Sequence, residues 1–157
     1  MSLERAVSYF RRFQMDDRIQ VFDVSSATVA LAAEALRCEP CRIAKTLSFY
    51  AGDKTVLIVA AGDVKIDNAK FKQRFGFKAK MLKPEDAESR IGHAVGGICP
   101  FGVNQGVEVY LDESLKRFSS VFPACGSSNS AIELSLDDLE RYSNSIEWVD
   151  ICKLTIG

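Results

Sequence analysis

Residues 43–60 read Ile43-Ala44-Lys45-Thr46-Leu47-Ser48-Phe49-Tyr50-Ala51-Gly52-Asp53-Lys54-Thr55-Val56-Leu57-Ile58-Val59-Ala60. Two β-prone runs, 45–50 and 55–60, flank Ala51-Gly52-Asp53-Lys54, whose glycine suits a tight connection. This stretch predicts a β-hairpin, the firmest element in the chain.

Working outward toward the N-terminus, Leu3, Val7 and Phe10 recur at helical spacing and Phe13 continues the stripe, which predicts a helix over 2–14. A short strand is expected at 19–22, and Ser26 offers an N-cap for an Ala-rich helix over 28–36. On the other side, Asp67 can cap a helix that runs to about Phe75 and stops at Gly76. Pro84 suits the first turn of another helix ending near Ile91, with a short β-prone run at 78–82 between the two. Residues 92–106 hold five glycines and Pro100 and follow neither period, so an ordered functional loop is expected there. Beyond it come a strand at 107–111, one or two short strands within 125–134, a helix at 136–142 and a last strand at 148–152. Strands and helices mix without regular βαβ alternation. The expected fold is therefore a mixed α/β one, with a largely antiparallel sheet flanked by helices, in one domain over 1–157.

Of the 157 residues, 47% are apolar, enough for one substantial core. Twenty basic and 21 acidic residues leave a formal charge of −1, which argues against a surface built to grip long DNA, so any nucleic-acid contact must be local. The opening MSLERAVSYFRRF interleaves charges with apolar residues, unlike a secretory signal, and no run approaches membrane-spanning length. Five cysteines without a secretory segment read as reduced thiols, and a cytoplasmic location is expected.

Several constellations could carry chemistry. Cys38 and Cys41, in C-E-P-C, have the spacing shared by zinc sites and redox dithiols, but no second pair accompanies them. They follow a helical stretch instead of opening one after a strand, which favours a structural role. His93 is the only histidine, and the G-x-S-x-G elbow, the Walker A loop and the G-x-G-x-x-G fingerprint are all missing. The segment Gly96-Gly97-Ile98-Cys99-Pro100-Phe101-Gly102 suits main-chain donors that approach a carbonyl or phosphate, or else a tight turn. Lys45 in an apolar strand either extends its ammonium to solvent or serves a site that needs positive charge. Residues 65–83 hold seven basic residues against the single acid Asp67, a local charge of +6 in a near-neutral chain. Lys70, Lys72, Arg74, Lys78 and Lys80 are its candidates for contact with a phosphate backbone, the alternative being a solvated helix face.

Taken together these features resemble the YbaK/ProX family of aminoacyl-tRNA deacylases, relatives of the editing domain inserted in bacterial prolyl-tRNA synthetases. The resemblance runs from about Val21 to Leu139. It is carried by T-V-A-L-A-A-E-A-L, R-I-A-K-T-L-S-F, G-G-I-C-P-F-G and C-G-S-S-N-S-A-I-E-L in that order. The resemblance implies hydrolysis of the ester on a mischarged tRNA by substrate positioning and an activated water, with no metal, cofactor or covalent intermediate. It implies Lys45, Gly96, Gly97 and Pro100 as the catalytic set. Phe22, Thr28, Thr46, Ile98, Cys99, Phe101, Gly102, Cys125 and Gly126 would bind substrate. The implied partners are the 3′ acceptor end of the tRNA and an aminoacyl-tRNA synthetase; a non-catalytic module binding the same partners is the alternative. Members that deacylate Cys-tRNA carry an acidic residue just before I-E-L, where this chain has Ala131.

Overall fold

The computed structural model describes residues 2–155. The predicted hairpin is its centre. Strand β2 (Ile43–Ala51) pairs antiparallel with β3 (Lys54–Ala61) through eight registered positions, from Ala44↔Ala61 to Ala51↔Lys54. The turn is closed by Gly52 at φ +66, a conformation that costs glycine nothing. Val56 to Ala61 are all at most 2% exposed, so the second strand is buried on both faces, which its unbroken apolar run permits.

Four further strands extend this hairpin: β5 (Glu108–Asp112), β6 (Ser120–Pro123), β8 (Leu134–Ser135) and β9 (Glu147–Val149), in the order β8-β6-β2-β3-β5-β9. Two ribbons stand beside the sheet. One joins β1 (Gln20–Val21) to β7 (Ser130–Ala131), the other β4 (Val64–Ile66) to β10 (Cys152–Leu154). Both ribbons are antiparallel, and within the six-stranded sheet β2–β3 and β6–β8 are antiparallel while β2–β6, β3–β5 and β5–β9 are parallel. The sheet is therefore mixed, with less antiparallel pairing than expected because β5, β6 and β9 return to it by crossover connections.

The helices are α1 (Ser2–Arg11), α2 (Val29–Leu36), α3 (Asn68–Phe75), α4 (Pro84–Ile91) and α5 (Leu136–Tyr142). Local chemistry sets their ends. The Asp67 carboxylate accepts from the amides of Ala69 and Lys70 at the start of α3, and Gly76 ends it in the left-handed conformation. Pro84 occupies the first turn of α4, which Gly92 terminates at φ +101. The core gathers Phe10, Phe49, Phe71 and Phe101, each at most 1% exposed, around the sheet. Phe71 lies with its ring centre 5.0 Å from that of Phe49 and 4.7 Å from that of Phe75.

Some boundaries differ from expectation for reasons of hydrogen bonding. Helix α1 ends at Arg11, not 14: the Phe10 carbonyl accepts from both Phe13 and Met15, and Gln14 turns left-handed at φ +58. Thr28, not Ser26, caps α2, its hydroxyl accepting from the Leu31 amide, while the Ser26 amide is drawn to the Ser128 carbonyl at 2.6 Å. Strands β4 and β6 were not anticipated, each being too short to show a period. The expected strand over 148–152 divides into β9 and β10, because Ile151 donates to the Asp112 carboxylate and accepts from the Asp67 amide. The run at 78–82 makes a single bridge, Phe49↔Met81.

Candidate functional site

A cleft of about 510 Å³ opens between α2, the exposed flank of β2 and the glycine-rich loop before Pro100. Its wall is mostly apolar, with Val29, Ala32, Ile43, Ile98, Phe122 and Ala131 contributing. Strand β2 supplies residues of both its faces, Lys45, Thr46 and Ser48 among them, because along that edge β6 pairs only with Ile43 and Ala44 and the 80–82 segment bonds only to Ser48 and Tyr50, leaving 45–47 open.

Lys45 is half-buried on this wall. Its ammonium donates to the carbonyls of Val64 and, at 3.5 Å, Gly62, on the turn between β3 and β4. Burial lowers its pKa, an effect opposed by the nearby Cys152 and the carboxylate of Asp63. Asp63 is fixed by a two-pronged pair with Arg117 at 2.9 and 2.6 Å, which holds its own carboxyl below the usual range. The turn depends on Gly62, since a β-carbon there would lie 2.1 Å from the Pro40 carbonyl oxygen. Two acceptors for a group with three N–H bonds leave one donor for a ligand.

The loop facing β2 is braced from behind. Gly97 packs on the backbone of Gly126 and Ser127, where a β-carbon would sit 2.4 Å from the Gly126 carbonyl carbon. Its amide donates to Ala94, and Gly96 adopts φ +96 on the cleft side. His93, fully buried, contacts the Phe101 carbonyl through Nε2 at 2.6 Å; that acceptor fixes the proton on Nε2 and leaves Nδ1 unprotonated, without a partner in an apolar setting. Burial accordingly lowers the His93 pKa. Cys99 lies 3.5 Å from the same nitrogen, and burial pushes its thiol up to about 12, far from a reactive thiolate. From α1, Arg5 Nε donates to the Gly102 carbonyl at 2.9 Å while its guanidinium covers Gly92, so one side chain spans both ends of the loop.

Of the residues expected from sequence, Lys45, Thr28, Thr46, Gly96 and Ile98 come together on the cleft wall. Gly97, Cys99, Pro100, Phe101, Cys125 and Gly126 are buried and form the layer supporting the loop, outside the lining. Gly102 meets α1, and Phe22 lies on the ribbon side, its amide bonded to the Asn129 carbonyl. Lys70 pairs with Asp150 at 3.1 Å, and Arg74 pairs with Glu147. Lys72 and Lys78 are exposed, and Lys80 lies over the Tyr50 ring at 5.5 Å. Cys38 and Cys41 are free thiols, as are the other three cysteines. Among the described residues no group of three or more His, Cys, Asp or Glu is placed to hold a metal ion, and no helix is long and apolar enough to cross a membrane.

Sequence reasoning missed Met81, Val95 and Ala124 as wall residues. Exposed apolar side chains in segments without a period give no sequence signal of a cleft.

A mixed sheet with an open cleft, walled by a lysine-bearing strand and a braced glycine loop, matches a known architecture. The chain belongs to the aminoacyl-tRNA editing domain family, whose family model matches residues 24–142. The protein YwhH of Bacillus subtilis (strain 168) is 53% identical over 154 residues, covering 98% of both chains. The proline–tRNA ligase of Levilactobacillus brevis is 28% identical over 119 residues, which span 71% of this chain but only 21% of the ligase. A crystal structure described as a candidate trans-editing enzyme for prolyl-tRNA synthetase superposes with a TM-score of 0.87 at 24% identity, over 97% of each chain. At that identity the likeness shows the fold.

Proposed function

We propose that this protein is a free-standing aminoacyl-tRNA deacylase, hydrolysing the ester that joins a wrong amino acid to the 3′ end of a tRNA. Membership of the editing-domain family supports the reaction class. The observation that carries the reading is Lys45 on the cleft wall, anchored by the Gly62 and Val64 carbonyls with one N–H bond to spare, across from Gly96 and Ile98.

In this reading the amino acid side chain enters the apolar part of the cleft between α2 and Phe122. Water attacks the ester carbonyl, and the negative charge that develops on its oxygen is stabilised by the Lys45 ammonium and by the main-chain amides of Gly96 and Ile98, the Gly97 amide being held by Ala94. The bond to the ribose oxygen then breaks and that oxygen takes up a proton, releasing the free amino acid and the tRNA. An aminoacyl ester is already activated, so positioning and oxyanion stabilisation are adequate without a nucleophilic side chain. Cys99, the cysteine of the loop, is buried and protonated and takes no part. Pro100 and Gly97 act by holding the loop in place.

The test is a panel of mischarged tRNAs with wild-type protein and Lys45→Ala. The wild type should release amino acid with turnover. The variant should lose most of that activity, while unfolding cooperatively within about 3 kcal/mol of wild type, the scale of the two side-chain hydrogen bonds removed. Undiminished hydrolysis by Lys45→Ala would remove the lysine from the mechanism. Retention of every ester with a gel shift would instead identify a binding module.

A further inference from the structure

The fold separates the basic stretch 65–83 into two parts with different surroundings. On α3, Lys70 and Arg74 are engaged in ion pairs with Asp150 and Glu147. After Gly76 the chain leaves the helix and runs along β2: the Tyr50 amide donates to the Lys80 carbonyl at 2.9 Å, and the Leu82 amide donates to the Ser48 carbonyl at 3.0 Å. Met81, Leu82 and Pro84 thereby become part of the cleft wall. Lys78, Lys80 and Lys83 bracket Met81, are exposed, and form no ion pair among the described residues. Lys80 lies over the Tyr50 ring, a contact that leaves its ammonium free of any carboxylate. Met81 itself is 57% exposed and Val95, at the edge of the glycine loop, 60% exposed, and both line the same cleft.

Three unneutralised lysines on one short segment, with exposed apolar side chains at the cleft rim, fit a ligand that alternates anionic linkages with flat apolar faces. An acidic peptide supplies the charge without the flat faces. A single nucleic-acid strand supplies both, because phosphates take lysine contacts and every base presents a π-face to an apolar or thioether group. We propose that the single-stranded 3′ end of the tRNA reaches the cleft along residues 78–83, with phosphates on Lys78, Lys80 and Lys83 and a base on Met81 and Val95, and that α3 is not its track. The identity of the strand rests on the deacylase reading, but the test reads binding and needs no turnover.

Fluorescence anisotropy would measure the affinity of uncharged tRNA, and of a short single-stranded RNA with the tRNA 3′ sequence, between 50 and 200 mM salt. The proteins are wild type, a Lys78/Lys80/Lys83→Gln variant, a Lys70/Lys72/Arg74→Gln variant and Met81→Ser, each checked for cooperative thermal unfolding. Three lost phosphate contacts at about 0.7 each lower the logarithmic salt slope by about 2, so the affinity lost over that fourfold salt rise should shrink roughly 15-fold in the 78/80/83 variant. The α3 variant should stay within twofold of wild type with its slope intact. Met81→Ser should weaken both RNAs several-fold without changing the slope, since it removes no charge. The proposal is overturned if the α3 variant loses the slope while the 78/80/83 variant keeps it, or if neither changes. If the 78/80/83 variant behaves as expected but the wild type cleaves no ester, the deacylase reading fails and the RNA track stands. If an aminoacyl-adenosine ester is cleaved and the 78/80/83 variant keeps full tRNA affinity, the reverse holds.

Discussion

Replacing Gly97 by alanine tests the loop architecture most directly, because the cost there is steric alone. Gly97 does not adopt a positive φ, so alanine meets no backbone penalty. Its β-carbon, however, would lie 2.4 Å from the Gly126 carbonyl carbon, 2.5 Å from the Ser127 nitrogen and 2.6 Å from the Gly126 oxygen. Carbon atoms in contact sit about 3.5 Å apart, so the loop and the 126–127 backbone must separate by roughly 1 Å. All three obstacles are main-chain atoms, which no rotamer change can move. Overpacking of this kind costs about 1–3 kcal/mol, and a shift of about 1 Å in a positioning element is enough for a rate loss of about a hundredfold. Gly106→Ala is the matched control. Gly106 has φ +92 but open space around its would-be β-carbon, so the substitution strains the backbone by about 1–2 kcal/mol at the far end of the 92–106 segment, outside the cleft lining. Urea unfolding and single-turnover deacylation should show similar destabilisation for the two variants and a large rate loss for Gly97→Ala alone. A Gly97→Ala protein that deacylates at the wild-type rate would refute the view that the 96–98 segment is held in place by the 126–127 backbone.

Two further outcomes follow from the same bracing. His93 is buried with its pKa lowered, so between the unfolded value of about 6.5 and the lower folded value only the unfolded chain takes up the proton; stability should fall on acidification through that window by up to about 1.4 kcal/mol per pH unit. His93→Gln should flatten that part of the stability profile in urea titrations at stepped pH, and an unchanged profile would show that His93 titrates normally. Arg5→Ala removes the bond to the Gly102 carbonyl and uncovers Gly92; it should lower kcat several-fold with KM for tRNA unchanged and a stability cost of about 1 kcal/mol or less, whereas a rise in KM alone would make Arg5 a tRNA contact instead of a loop brace.

Much of the fold was legible in the chain because its signals are local. The run Val56-Leu57-Ile58-Val59-Ala60 beside Gly52 announces a hairpin, and Asp67, Gly76 and Pro84 mark helix ends through capping and turn chemistry that neighbouring residues complete. Boundaries slipped where the partner lies far along the chain. Ser26 looks like a cap, but the Ser128 carbonyl claims its amide, and Ser120 to Pro123 becomes a strand because Ile43 and Ala44 lie alongside Phe122 and Pro123 while Leu134 and Ser135 pair with Val121 and Ser120.

The candidate site divides in the same way. A cation in an apolar strand and five glycines within fifteen residues stand out in the sequence, and the family resemblance, not these features alone, marks Lys45 and the glycine loop as the site. Which of those residues line the cleft is a matter of tertiary structure. Cys99 and Phe101 belong to the same motif as Gly96 and Ile98, yet packing against His93 and α1 turns them into the core while their neighbours face the opening. The basic stretch reads as one charged patch by itself. Only the fold pairs Lys70 and Arg74 with acids from the C-terminal part of the chain and lays residues 78–83 along β2, because charge neutralisation depends on distance in space and sequence gives only distance along the chain.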